Sequence, residues 1–383
     1  MKHPVPGKPH ILILFSDTGG GHRSAAEAII EALHLEYEEQ FTIEMVDIFK
    51  DIALPPLNRM PDLYPTMVRI PQAWGFGFRL TNGSQRSRLL TSSTYPYVRK
   101  ALRKLIAKHP SDLIVSVHPL ANAPILRSLG KDRPPYITVV TDLVTAHALW
   151  YHRLTDLCLV PTEAARQRAL RYGLKPDQVK VVGLPVANRF CIAAGDPVEL
   201  RNQYGWRQDR PVILLVGGGE GMGPLEKTAR AIADAGLNAS LVVITGRNES
   251  LKARLESMSW SIPTHIYGFV REMPNFMRAA DILVTKAGPG TICEALNAGL
   301  PMILYSRLPG QEEGNVSYIV SEGAGVWAPQ PEKIVATLHN WITHPQELAQ
   351  AEAACRRLAR PQAARQVAHI LAGFVGIQYQ PGA

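Results

Sequence analysis

The residue best placed to move a proton follows three consecutive glycines. Ser16-Asp17-Thr18-Gly19-Gly20-Gly21-His22 comes directly after the apolar run His10–Phe15. Glycines there let the backbone approach a ligand closely, at a helix start whose amides point outward. A plain glycine-rich turn from strand to helix fits the loop equally well. His22 carries more information. Open α/β sheets bind ligands at the carboxyl edge of their strands, and a neutral imidazole there can act as a general base near pH 7.

Two further glycine clusters follow apolar runs. Val216-Gly217-Gly218-Gly219-Glu220-Gly221-Met222-Gly223 lacks the Lys-Ser/Thr ending of a P-loop. No acidic residue clearly closes the next strand, so a dinucleotide fingerprint is not convincing either. Phosphate cradling by successive amides of Gly217, Gly218 and Gly219 is the leading reading, and a plain turn is the alternative. Lys286-Ala287-Gly288-Pro289-Gly290-Thr291-Ile292-Cys293-Glu294-Ala295-Leu296 follows Ile282–Thr285. A helix starting near Thr291 would aim its positive end at a pyrophosphate beside Gly290 and Thr291. Glu294 has two readings. It is a ligand-binding carboxylate, or the partner of Thr291 in a capping box. Pro309-Gly310-Gln311-Glu312-Glu313-Gly314-Asn315 gathers polar groups that would hold sugar hydroxyls or make a solvated turn.

The elements that must position these residues are legible as alternating short apolar runs and helical patterns. Strands are expected at His10–Phe15, Thr42–Val46, Leu113–Val117, Tyr136–Val140 and Asp156–Val160. A second series is expected at Pro211–Val216, Ser240–Thr245, His265–Tyr267, Ile282–Thr285 and Pro301–Leu304. Such βαβ patterning implies parallel sheets. The expectation is therefore an α/β chain of two doubly wound domains, at about residues 1–190 and 205–350. A length of 383 residues suits two cores. No run of 18 apolar residues exists to cross a membrane, and Ile11–Phe15 is too short for a signal peptide. Cys158, Cys191, Cys293 and Cys355 form no CxxC pair, which argues against a disulfide framework or a zinc site and fits a reducing cytoplasm.

Net charge is +8, and one segment accounts for it. From Arg59 to Lys108 there are ten basic residues and a single acid, Asp62. A basic segment needs an anionic partner, either nucleic acid or lipid. Trp74-Gly75-Phe76-Gly77-Phe78 lies among the arginines, the combination expected of an interfacial segment. A core aromatic cluster and a solvated basic face are the alternatives.

The early Ser-Asp-Thr-Gly-Gly-Gly-His, the late Lys-Ala-Gly-Pro-Gly-Thr-Ile-x-Glu-Ala-Leu and Pro-Gly-Gln-Glu-x-Gly-Asn resemble signatures of monogalactosyldiacylglycerol synthases, in glycosyltransferase family 28. More distantly the chain is similar to the peptidoglycan N-acetylglucosaminyltransferase. The resemblance runs from about residue 10 to about residue 345. It implies a GT-B fold of two Rossmann-like domains facing across a cleft, the second holding the nucleotide. A C-terminal helix at about 358–378 would return to the first domain.

The resemblance implies roles residue by residue. His22 matches the base at the acceptor hydroxyl, with Gly20 and Gly21 beside it. Glu294 matches the glutamate on the ribose, and Gly290 and Thr291 the helix start facing the diphosphate. Gln311 and Glu312 match the pair on the donor sugar, with Asn315 closing that motif. Phe269 and Val270 fall where the uracil packs. Trp74, Phe76, Phe78, Arg79, Arg86 and Arg88 match the region used for lipid and membrane. Asp142 and His147 follow another strand and are expected to line the acceptor side, although Asp142 also suits a turn.

The implied reaction is inverting transfer of galactose or glucose from a UDP-hexose to the sn-3 hydroxyl of diacylglycerol. The UDP-sugar is a co-substrate, with no cofactor and no metal. Anionic lipids such as phosphatidylglycerol are the expected surface, on the cytoplasmic face of the plasma membrane, and no nucleic acid is expected. Two rivals differ in a single feature each. A UDP-GlcNAc transferase acting on a lipid-linked peptidoglycan precursor would carry different wording in the Lys-Ala-Gly-Pro-Gly-Thr motif. A non-catalytic nucleotide- or RNA-binding protein would have no use for His22.

Overall fold

A computed structural model describes residues 7–379 apart from residues 19, 53, 56, 61, 64–69, 193–194, 220 and 222. Gly19 of the first glycine motif, Glu220 and Met222 of the second, and Arg69 of the basic segment thus lie outside the described residues. The chain forms two compact units. The first comprises Met1–Asn188, Leu308–Gly314 and Gln362–Ala383, and the second Arg189–Arg307 and Asn315–Pro361.

The first unit holds β1 (His10–Phe15), β2 (Thr42–Asp47), β3 (Leu113–Ser116), β4 (Tyr136–Val139), β5 (Leu157–Val160) and β6 (Val179–Val181). They pair in parallel in the order β2-β1-β3-β4-β5-β6. β1 is apolar at nearly every position because helices cover both of its faces. Ile11, Ile13 and Phe15 face a core completed by helices Gly21–Tyr37 and Ala363–Phe374. Leu12 and Leu14 face the opposite core, with Val98, Leu102 and Leu105 of helix Ser84–Lys108. This is the two-residue alternation of a strand. The C-terminal helix is tied to helix Gly21–Tyr37 by the Arg365–Glu36 ion pair at 3.2 Å and the His369–Tyr37 hydrogen bond at 2.8 Å.

The second unit holds β7 (Val212–Val216), β8 (Ser240–Ile244), β9 (Thr264–Tyr267), β10 (Ile282–Lys286), β11 (Met302–Ser306) and β12 (Gly325–Trp327). Their order is β12-β11-β10-β7-β8-β9, again parallel throughout. In both sheets the first strand lies between strands wound in opposite directions. The switch points fall at β1/β3 and β7/β10, where doubly wound sheets bind ligands. Two strands escape the sequence pattern, β6 and β12. Each is a three-residue edge strand, too short to show a period. Among the described residues no helix is long and apolar enough to cross a membrane.

The loops after β7 and β8 touch backbone to backbone. A Cβ on Gly246 would lie 2.3 Å from the Gly219 carbonyl oxygen, and one on Gly221 2.0 Å from that of Thr245. Both glycines have positive φ, 60° and 57°. Gly290, in contrast, has open space around the same position. Gly246→Ala should therefore lose about 2 kcal/mol or more of stability through strain and collision, whereas Gly290→Ala should stay within about 0.5 kcal/mol of wild type. Denaturant unfolding that finds the two variants equally stable would rule out this packing.

Candidate active site

Helix Gly21–Tyr37 begins immediately after the first glycine loop, with Gly20 as its N-cap at φ 75°. His22, in its first turn, is half-buried. Its Nδ1 is 2.9 Å from the Thr141 hydroxyl, which comes from the loop after β4. Its ring meets that of His118 edge-on at 4.6 Å and that of Trp150 at 5.9 Å. Burial pulls the His22 pKa below the ordinary 6.5, while the Asp142 carboxylate and the Val117 carbonyl pull the other way. At neutral pH the ring is therefore unprotonated and can accept a proton.

His118 lies after β3, on the other side of the switch point. It caps helix Pro119–Leu129 by accepting the Leu120 N–H on Nδ1 at 3.3 Å. Its proton is then on Nε2, which donates to Thr18 Oγ1 at 3.1 Å and anchors the glycine loop. Burial, and then His22, hold its pKa well below 6.5. The sequence carries one signal for it, a His-Pro at the end of an apolar run.

Asp142 is buried. Its Oδ2 accepts the Trp150 indole N–H at 2.6 Å, and its Oδ1 accepts the Gln311 side-chain amide at 2.9 Å. The Thr145 hydroxyl donates to the Gln311 carbonyl. Glu312 closes its own turn, accepting the Leu308 N–H at 2.7 Å. The loop Leu308–Gly314 thus packs within the first unit. Helix Pro71–Thr81 holds it there: a Cβ on Gly75 would lie 2.6 Å from Pro309 Cβ, and one on Gly310 2.7 Å from the Phe78 ring. Arg79 pairs with Glu313 at 3.0 Å.

These contacts redistribute the expected membrane residues. Phe78 packs on His147 at 4.9 Å and on Gly310, and Trp74 is half-buried, so both rings are partly engaged in the fold. Phe76 is 69% exposed and is joined by Ile70, Leu80 and Leu89, which the sequence reading passed over. Arg86 and Arg88 are exposed, as are Arg99, Lys100, Arg103, Lys104 and Lys108 along the same helix, Ser84–Lys108. His147 is occupied at both nitrogens. Nδ1 accepts the Leu149 N–H at 3.2 Å, and Nε2 donates to Thr81 Oγ1 at 3.1 Å, which in turn donates to the Gly77 carbonyl. Burial takes its pKa to about 4. It braces helix Pro71–Thr81 and has no nitrogen left for an acceptor.

In the second unit, helix Pro289–Ala298 starts two residues earlier than expected, with Gly288 as N-cap and Pro289 supplying a preset φ. Thr291 is therefore inside the helix, and no side chain caps it. The capping-box reading of Glu294 fails for that reason. Gly290 and Thr291 are left with first-turn amides that have no intrahelical acceptor. Glu294 is half-buried, and burial raises its pKa to about 7, with Arg189 pulling it down. Asn315 is buried and donates to the Ala287 carbonyl at 2.9 Å, supporting the loop before the helix, while its Oδ1 has no partner.

The β7 loop lies against the end of β10. A Cβ on Gly218 would be 3.1 Å from Lys286 Cε and Nζ, so the ammonium sits over that glycine. The β10–β11 register slips by one residue between Thr285 and Lys286. Gly217 is closed in by Leu225, and Gly219 accepts the Arg247 N–H at 2.9 Å. The Arg247 guanidinium lies over the ring of Phe269 at 4.9 Å. Phe269 is 52% exposed and Val270 half-buried. Lys286 and Arg247 were not singled out from sequence, although Lys286 is the first residue of the third motif. Among the described residues no group of three or more metal-ligating side chains is found.

Two family descriptions match the chain: monogalactosyldiacylglycerol (MGDG) synthase over residues 22–186, and the glycosyltransferase family 28 C-terminal domain over residues 212–367. A probable monogalactosyldiacylglycerol synthase 2, chloroplastic, of Oryza sativa subsp. japonica is 40% identical, across 97% of this chain and 81% of its own. Monogalactosyldiacylglycerol synthase 1, chloroplastic, of Arabidopsis thaliana is 38% identical, across 94% of this chain and 70% of its own. Two solved structures share the fold at low identity. A UDP co-structure of MnaA from S. aureus has a TM-score of 0.64 at 15% identity, covering 98% of this chain and 99% of its own. Acinetobacter baumannii MurG has a TM-score of 0.61 at 14% identity, covering 95% and 99%. The chain has the GT-B fold and belongs to the monogalactosyldiacylglycerol synthase family of glycosyltransferases.

Proposed function

We propose that the protein is an inverting glycosyltransferase that moves a hexose, galactose by the names of its relatives, from a UDP-sugar to the sn-3 hydroxyl of 1,2-diacylglycerol. The observation that carries this reading is His22: a half-buried imidazole kept neutral by burial, on the first turn of a helix at a sheet switch point. His22 takes the hydroxyl proton while the oxygen attacks the anomeric carbon. The bond to the diphosphate breaks, UDP leaves with the electron pair, and an α-linked donor yields a β-glycoside. Charge growing on the diphosphate is met by the Gly290 and Thr291 amides, by the Gly217–Gly219 loop and by the Lys286 ammonium. Phe269 and Val270 face the base and Glu294 the ribose. The UDP-sugar is a co-substrate, and the step uses no further cofactor or metal. Purified protein given diacylglycerol in liposomes and either UDP-galactose or UDP-glucose should release UDP and form the glycolipid. No product with either donor would defeat the reading.

His22→Ala should abolish transfer, because losing a general base typically costs about 10²–10⁴-fold in rate. UDP affinity should remain within a few-fold of wild type, since His22 belongs to the first unit and Phe269, Val270, Gly290, Thr291 and Glu294 to the second. Turnover near wild type would remove His22 from the mechanism.

Glu294 gives a pH-dependent signature. Its pKa is raised to about 7 by burial, so the charged form dominates only above that pH. Ionised carboxylate accepts two ribose hydroxyls more strongly, at about 1.5–3 kcal/mol for bonds to a charged group. UDP affinity should rise from pH 6 to pH 8 in wild type. Glu294→Gln should bind at least about tenfold more weakly at pH 8 and lose the pH dependence. Calorimetry showing parallel pH profiles for the two would assign Glu294 to the fold alone.

The membrane reading, peripheral attachment to an anionic surface rich in phosphatidylglycerol, takes its support from Ile70, Phe76, Leu80 and Leu89. They stand exposed on or just before helices Pro71–Thr81 and Ser84–Lys108, the second of which carries the exposed Arg86 and Arg88. Arg86→Gln with Arg88→Gln should weaken liposome binding by about 1 kcal/mol per charge, and raised salt should mimic it. Phe76→Ser with Leu80→Ser should weaken it in a way that salt does not reproduce, at about 1.5–3 kcal/mol per fully buried side chain. Trp74→Ala and Phe78→Ala should instead lower thermal stability. Liposome sedimentation with equal binding for all variants would turn this surface into an ordinary solvated face.

A further inference from the structure

We propose that Asp142 is the positioning residue of the base: its buried carboxylate, held by Gln311, fixes Trp150 beside the His22 imidazole and supplies the negative charge an imidazolium needs. This rests on reading His22 as the base. Four observations converge. Asp142 is 6% exposed, and among the described residues it forms no ion pair. Its two donors, the Trp150 indole and the Gln311 amide, are both uncharged. A desolvated carboxylate without a cation is costly, so its retention calls for a partner that becomes positive. Trp150, fully buried, joins the two: its N–H holds Asp142 while its ring lies 5.9 Å from that of His22. Thr141, the residue before Asp142, holds His22 Nδ1 directly.

The groups facing His22 are His118 and the Val117 carbonyl from beyond β3, Thr141 and Asp142 from beyond β4, and Trp150. Only His118 and Asp142 among them titrate. Burial keeps His118 neutral, which among the described residues leaves Asp142 as the formal charge acting on the ring. Its influence on His22 opposes that of burial. In the step itself the proton passes from the acceptor hydroxyl to the imidazole, creating an imidazolium–carboxylate pair. The pair separates when the proton returns to solvent after UDP has left.

Asp142→Asn isolates the charge. The asparagine oxygen can still accept from Trp150. The Gln311 Oε1, buried and without a partner, can turn to accept from the new amide. The variant should therefore fold. Nuclear magnetic resonance of histidine-labelled protein, with the His22 signal assigned by its absence from His22→Ala, reads the ring pKa without needing activity. In Asp142→Asn it should fall by about one unit or more, as expected for loss of a nearby opposite charge. The acid limb of kcat/KM should move to lower pH by the same amount, kcat should drop at least about tenfold, and UDP affinity should be unchanged. A His22 pKa that does not move would overturn the proposal even if activity fell, since the carboxylate would then serve packing only. If the pKa moved but His22→Ala remained active, the base reading would fall, and the catalytic half of this proposal with it.

Discussion

Parallel pairing governs the rest of this molecule. When every strand of a sheet runs the same way, every strand-to-helix loop leaves from the same edge. In the first unit that edge receives His22 after β1, His118 after β3, and Thr141 and Asp142 after β4. In the second it receives the Gly217–Gly219 loop after β7, Arg247 after β8, Phe269 after β9 and Lys286 to Thr291 at and beyond the end of β10. Residues more than a hundred positions apart become neighbours without any long irregular segment. The cost is crowding among the loops, and glycine relieves it. Gly221 and Gly246 sit where a neighbouring carbonyl leaves no room for a Cβ, so part of what looks like a ligand cradle in the sequence is packing.

Burial then sets the chemistry of the two ionisable residues that matter most, and it acts on them in opposite senses. Desolvation penalises whichever form is charged. For His22 that means the neutral base, ready to accept a proton. For Glu294 it means a carboxyl whose pKa is pushed up to about 7, with Arg189 pulling the other way. One physical cause thus favours a neutral imidazole in one unit and a neutral carboxyl in the other. Asp142 opposes the first effect, its carboxylate favouring the charged imidazole that burial penalises.

Much of this was legible in the sequence, for reasons that can be named. Strands buried on both faces are uninterrupted apolar runs, so β1, β7, β8 and β10 are visible by inspection. The three-residue edge strands β6 and β12 bury too little to leave a trace. The motifs mark where loops are, but not which atoms they use. Thr291-x-x-Glu294 has the spacing of a capping box, yet Pro289 starts the helix early and moves Thr291 out of the cap. Phe76 and Phe78 look equivalent in sequence, being two residues apart in a glycine-rich aromatic stretch. On a helix that offset turns them by about 200°, so one faces outward while the other meets His147. His118 and Lys286 act through neighbours that only the fold supplies.

The same helix shows why the Gln311 loop belongs to the first unit. Gly75 admits Pro309 because it has no Cβ, Phe78 lies against Gly310, Arg79 pairs with Glu313, and Thr81 is held by His147. These contacts follow one another at positions 75, 78, 79 and 81, the spacing of a helix face. Ile70, Phe76 and Leu80 stand exposed on the same element. A helix fixed this closely cannot tilt or slide without moving the loop, because the close approaches of Pro309 to Gly75 and of the Phe78 ring to Gly310 leave little slack to absorb a displacement. Gln311 is then bonded to Asp142, which stands beside His22. The exposed Ile70, Phe76 and Leu80, the Gln311 loop and the imidazole are therefore parts of one packed unit. Their relative placement depends on side chains that carry no chemistry of their own.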